Sequence, residues 1–251
     1  MQMQHDVEVW ASWQLAPEIV LPIVALAWWI SQRRDLTRRE LALFTVGLFS
    51  IIAVVNTPIG ARSDDYFTLH MIQHVTLMMI TGPLLVLGSP QSFRPRGRIF
   101  LGLTHPVVSW ILYATLMVGV HLPVIHNFIM YHSWAHDYIE VPLYIIVPYI
   151  FYFNLLDRHQ NKTRISPAMA VISLFLMMVP ETLTGFLIYA SPNSLYDNMY
   201  TMIDQQRGGS FMWAGAMVID ALWLSLAVHH WFKSEERKGI EINAEIAQEQ
   251  K

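Results

Sequence analysis

Seven apolar stretches, joined by connections that alternate between basic and nearly free of Lys and Arg, constrain this chain more than any other feature. The stretches run over about 15–31, 41–57, 66–89, 105–122, 138–156, 167–190 and 209–232. Each supplies the roughly 17–25 apolar residues that a helix needs to cross a bilayer. The first connection holds Arg33, Arg34, Arg38 and Arg39, the third Arg94, Arg96 and Arg98, and the fifth Arg158, Lys162 and Arg164. The tail adds Lys233, Arg237, Lys238 and Lys251. Fourteen of the sixteen basic residues thus fall on one side, and only Arg62 and Arg207 on the other. Because cytoplasmic loops collect Lys and Arg, this parity predicts an N-terminus outside and a C-terminus in the cytoplasm. The expected fold class is an all-α integral membrane protein of seven transmembrane helices. Residues 1–232 form a single seven-helix transmembrane domain, and residues 233–251 a charged cytoplasmic tail.

Composition narrows the chemistry. The chain is 54% hydrophobic and 14% charged, against about 25% charged in an ordinary soluble domain. It has no cysteine, which excludes disulfides, thiolate zinc sites, iron–sulfur clusters and thiol catalysis. A bound transition metal must then be held by His, Met or carboxylates. A net charge of −3 argues against nucleic acid as a partner. The opening MQMQHDVEVW has no Lys or Arg ahead of the first apolar run, so it reads as a short tail rather than a cleaved signal peptide.

The polar residues inside the apolar stretches carry the functional signal. Between Tyr66 and Pro90, His70 and His74 stand four residues apart, which places both on one helix face. Polar groups in a bilayer must find partners or become costly, and neutral imidazole is the commonest metal ligand. The expected orientation gathers further candidates at the same outer level. They are His121 in GVHLP, then His132, His136 and Glu140 at successive intervals of four, and Asp204 and Met212 where the seventh stretch begins. A lone imidazole at a helix end is ordinarily bonded to nearby backbone or water. That reading suits His126 and the inner His105, His159, His229 and His230, and it competes with a ligand role at His132. Imidazole suits copper, zinc, iron and nickel, and a thioether favours Cu(I). Met71, however, projects about 100° away from His70 on a helix. Gln73 lies off the histidine stripe, which suits a supporting or interhelical role. Glu181 and Asp220 read as interhelical hydrogen-bonding groups or as steps in a proton path.

The string H-M-x-Q-H at His70–His74, followed by G-P-L-L-V-L-G-S-P at Gly82–Pro90, resembles the signature of the CtaG family of cytochrome oxidase assembly proteins, the seven-helix kind associated with caa-type oxidases. Supporting pieces are His105-Pro106, the H-L-P of His121–Pro123, His136, and D-Q-x-x-G-G-x-x-M-W from Asp204 to Trp213. The resemblance covers about residues 15–232 and implies a membrane assembly factor for a haem–copper oxidase. It implies delivery of copper at an outward-facing histidine site, in a multi-pass protein of the bacterial inner (plasma) membrane. The implied role is that of a metallochaperone rather than an enzyme. The implied partners are an oxidase subunit and the metal ion, with homo-oligomerisation left open. The chain departs from the family pattern in its fifth stretch, where a second H-x-x-x-H pair is usual. Here either His136 pairs with Glu140, or His132 and His136 replace the pair one turn earlier. A carboxylate is a harder ligand than imidazole, so zinc stays open beside copper. Two other classes also stay open: a b-type membrane cytochrome with bis-histidine haem, and a metal or proton transporter.

Overall fold

All the regular structure among the described residues is helical, as the long apolar runs require when backbone groups have no water to bond. The computed structural model describes residues 11–14, 17–33, 36–89, 97–156 and 165–249. In chain order, α1 is Pro17–Ser31, α2 Arg38–Val55, α3 the single turn Pro58–Ala61, and α4 Phe67–Gly88. They are followed by α5 (Arg98–Leu103), α6 (Pro106–Gly119), α7 (Pro123–Tyr131), α8 (Ser133–Leu156), α9 (Pro167–Ala190) and α10, which runs from Met202 to Glu249. The charged residues after Phe232 simply continue α10 as an exposed helix.

Among the described residues, five helices are long and apolar enough to span a membrane: Arg38–Ala61, Phe67–Gly88, Ser133–Leu156, Pro167–Ala190 and Met202–Gln248. A sixth span arises if α6 and α7, bent by 74° at their junction, count as one. The chain is therefore a membrane protein. The remaining expected crossing, the first apolar stretch, corresponds to α1, which has 15 described helical residues. Of the basic connections, Arg34, Arg94, Arg96, Arg158, Lys162, Arg164 and Lys251 lie outside the described residues, as do His5 and His159.

Helix α4 is the central element. It is the most enclosed span, with 72% of its apolar stretch buried against 28% for α9. It packs on α2, α8 and the start of α10. Among the described residues, three helices contain a widened π turn, at Thr76–Thr81 in α4, His136–Glu140 in α8 and Phe211–Gly215 in α10. Two of these turns come just before a proline, Pro83 and Pro142. Proline lacks an N–H, so the carbonyl four residues earlier loses its helical donor. In α4 that carbonyl is Met79 O, and the Trp223 indole N–H donates to it at 2.8 Å. A defect that would be costly in hydrocarbon is thus repaired by the neighbouring helix.

Candidate metal centre

The site assembles around the first two turns of α4. Tyr66, the residue before the helix, offers no side-chain cap. Instead Asp204, at the start of α10, accepts from Phe67 N at 2.6 Å, Thr68 N at 3.2 Å and Thr68 Oγ1 at 2.6 Å. A carboxylate at a helix N-terminus satisfies donors that the helix itself cannot, and complements its dipole. Asp204 therefore fixes where α4 begins, and with it the height of His70 and His74. Gly208, one turn further along α10, lies against the Phe67 ring and Met71, and any side chain there would collide with them. The two helices can meet closely only because this position is glycine.

His70 and His74 project from α4 with ring centroids 3.9 Å apart, and both rings are buried. His136 and Glu140 reach them from the π turn of α8. Glu140 Oε1 lies 3.7 Å from His74 Nε2 and 4.0 Å from His70 Nε2, and its Oε2 lies 4.0 Å from His136 Nε2. His70, His136 and Glu140 each bring one ligand atom to within 4.8 Å of the others. Ligands on a tetrahedral ion at about 2.1 Å are themselves about 3.4 Å apart, so a small contraction would place these atoms on one ion.

Two more imidazoles close the cluster. His121 sits in the break between α6 and α7, its ring 5.5 Å from that of His74. Its Nδ1 bonds the Met117 carbonyl, which makes Nδ1 the protonated nitrogen and leaves the Nε2 lone pair free. His126, one turn into α7, is fully buried, 5.1 Å from His70 between ring centroids. Its Nε2 pairs with the Tyr200 hydroxyl at 3.1 Å. Burial pushes the Tyr200 phenol up, so it stays protonated.

The supporting contacts are specific. Tyr144 donates to Glu140 Oε1 at 2.9 Å, and its ring lies 3.9 Å from that of His74. Gln73 donates to Val54 O at 3.1 Å, which turns its Oε1 toward His136 Nε2 at 3.2 Å. At the rim, His136 Nδ1 meets Asp137 Oδ1 at 3.0 Å and Asp64 Oδ1 at 3.8 Å. Burial raises the Asp64 carboxyl above its ordinary range, with His136 pulling it the other way. Both nitrogens of His136 therefore face oxygen acceptors, and coordination through Nε2 would exchange Gln73 for the ion.

Seven buried atoms in this cluster lack a hydrogen-bond partner among the described residues. They are both nitrogens of His70, both of His74, His121 Nε2, His126 Nδ1 and Glu140 Oε2. Each such atom ordinarily costs about 1–3 kcal/mol, and a single cation shared by several of them would remove much of that cost. The donor chemistry, imidazole with one carboxylate, fits a borderline transition-metal ion.

Among the expected site residues, the structure brings together His70, His74, His121, His136 and Glu140. It does not bring in His132, whose backbone is extended (φ −130°, ψ 90°) between α7 and α8. The exposed His132 ring bonds Phe128 O at 2.8 Å instead. The interval of four to His136 therefore does not lie on one helix, and of the two alternatives it is His136 and Glu140 that the structure brings beside His70 and His74. Asp204 caps the start of α4 with its carboxylate. Met212 is buried in the π turn of α10 that packs against the first half of α4. His126 and Tyr144 belong to the cluster, although His126 read as a helix-end residue in the sequence. Pro123, which starts a new helix one turn before His126, was the available signal. Tyr144 continues the interval of four from His136 and Glu140, and that spacing was its signal.

A family model described as cytochrome c oxidase caa3 assembly factor matches residues 24–234. An uncharacterized protein of Mycobacterium leprae is 23% identical, over 90% of this chain and 39% of its own length. An uncharacterized protein of Mycobacterium bovis is 21% identical, over 79% of this chain and 35% of its own length. The chain thus spans little more than a third of the curated relatives it matches. No solved structure matches it.

Proposed function

Since the chain belongs to the cytochrome c oxidase caa3 assembly factor family, we propose that it helps to mature a haem–copper oxidase by holding a copper ion in the histidine cluster and passing it to an oxidase subunit. The observation that carries this reading is the set of unpartnered nitrogens on His70 and His74 beside the unpartnered oxygen of Glu140. His70, His74 and Glu140 hold the ion, with His136 and His121 as exchangeable further ligands. The ligands come from α4, α8 and the α6–α7 break, so they can release cargo one at a time. Gln73 takes His136 back when the ion leaves, which keeps that ring from being stranded. The rim carboxylates Asp64 and Asp137 put negative charge at the mouth, where a cation enters. In this reading the protein crosses a bacterial plasma membrane seven times, with the histidine end outside and the α10 tail in the cytoplasm. The family's oxidase contains copper, which favours that metal, while Glu140 keeps zinc as the competing cargo.

The test is complementation. In bacteria lacking the gene, wild-type protein is expected to restore copper content and activity of the oxidase, and the His70→Ala/His74→Ala variant to restore neither. Full restoration by the double variant, present at normal level in the membrane, would overturn the reading. Absorption spectra of the purified protein separate the haem alternative, since a Soret band would assign these rings to haem instead.

A further inference from the structure

A second buried polar group lies well away from the histidines, between α6, α8, α9 and α10. Glu181 of α9 and Asp220 of α10 are 2% and 7% exposed, and their carboxyl groups face each other. Tyr113 of α6 donates to Glu181 Oε1 at 2.9 Å, and Tyr152 of α8 stands beside Tyr113. Glu181 Oε2 and Asp220 Oδ2 find no donor among the described residues. Tyr152 follows Glu140 by twelve residues on α8, so the two sites are about 18 Å apart along that helix.

Two carboxylates in contact inside an apolar bundle cannot both be ionised unless a cation lies between them. Tyr113 satisfies only one of the four oxygens, and among the described residues neither acid is ion-paired with a Lys, Arg or His. A metal would need four or more ligands. Here the Tyr113 hydroxyl is already committed as a donor, and its ring packs on Phe151, an apolar neighbour. A proton needs only the two facing oxygens.

We propose that Glu181 and Asp220 form a proton-binding site that holds one shared proton and thereby ties α9 to α10. The tie reinforces a close approach of these helices that begins one turn from Glu181. There Gly185 packs on Trp213 N and Gly209 O, with room for no side chain, a Cβ coming within 2.7 and 3.0 Å of those atoms. A cavity of about 210 Å³, whose lining includes Arg39, Leu174, Trp223 and His230 but neither acid, lies next along α10 and offers the route for exchange. Trp223 is one turn from Asp220, and His230 lies toward the tail of α10, so exchange is with the side on which that tail emerges. This site is independent of the metal reading above.

Infrared difference spectroscopy on the full-length protein in lipid nanodiscs tests it. The expected result is a protonated-carboxyl carbonyl band at neutral pH, lost in both Glu181→Gln and Asp220→Asn. Tyr113→Phe, which keeps the ring, should shift that band and so serves if the acid variants fail to fold. Absence of the band in the wild type would overturn the proposal. So would stoichiometric binding of sodium or zinc ions that Asp220→Asn abolishes, because the site would then be a metal site.

Discussion

The bundle buries two polar groups in very different ways. Around α4, imidazoles dominate, nitrogens are left unpaired, and the surrounding contacts orient rings: Met117 O fixes His121, Tyr200 holds His126, and Tyr144 holds Glu140. Around Glu181 and Asp220 the groups that meet are two carboxyls and the Tyr113 hydroxyl, and one shared proton would satisfy the pair. Both groups answer the same constraint, that polar atoms in a membrane interior need partners. The difference lies in which cation each can accept. Borderline nitrogen donors with rigid outer contacts suit a transition metal, and two oxygens on adjoining helices suit a proton.

That contrast can be broken most sharply at the histidines. His70→Ala/His74→Ala is expected to abolish stoichiometric copper or zinc binding, read by elemental analysis of purified protein, while Glu181→Gln leaves it unchanged. Equal loss in both variants would merge the two sites into one. The next effect in size comes from Tyr144→Phe, which removes the hydrogen bond that orients Glu140. Metal affinity should fall by about 10–100-fold, the usual cost of losing an outer contact of this kind, and a competition titration with a chelator measures it. Gly208→Ala forces a side chain against Phe67 and should destabilise the fold by about 1–3 kcal/mol, seen as a lower Tm in detergent. Asp204→Ala strips the cap from α4 and should cost about 0.5–2 kcal/mol, with metal binding retained once the protein is folded. A loss of binding in folded Asp204→Ala protein would return that carboxylate to the ligand set. His132→Ala should change neither metal affinity nor Tm, since that ring bonds only its own turn and faces solvent.

How far the sequence reached depended on whether a feature was local. His70 and His74 could be paired from spacing alone, because α4 is a continuous helix through both. Glu140 could be placed with His136 for the same reason, even though the turn joining them is widened, since Val141 N still reaches back to His136 O. His132 failed because an interval of four means a shared face only within one helix, and the chain is extended at that residue. His126 was undervalued because its position depends on the 74° bend at the α6–α7 break, which turns a ring at the start of a new helix back over His70. Tyr144 follows Glu140 by four residues on the same helix, so its spacing was legible; Tyr200 enters through a contact between distant segments, which no periodicity encodes. The all-helical membrane class was legible in the apolar runs. The individual crossings were less so, since α1 is short and the α6–α7 stretch is bent.

The central claim is that imidazoles from separate helices converge on one ion with Glu140. X-ray absorption at the metal edge of protein loaded with one copper per chain tests it most directly. The account predicts a first shell of nitrogen and oxygen, with outer scattering from at least two imidazole rings. A shell dominated by sulfur, or an identical spectrum from the His70→Ala/His74→Ala protein, would contradict it.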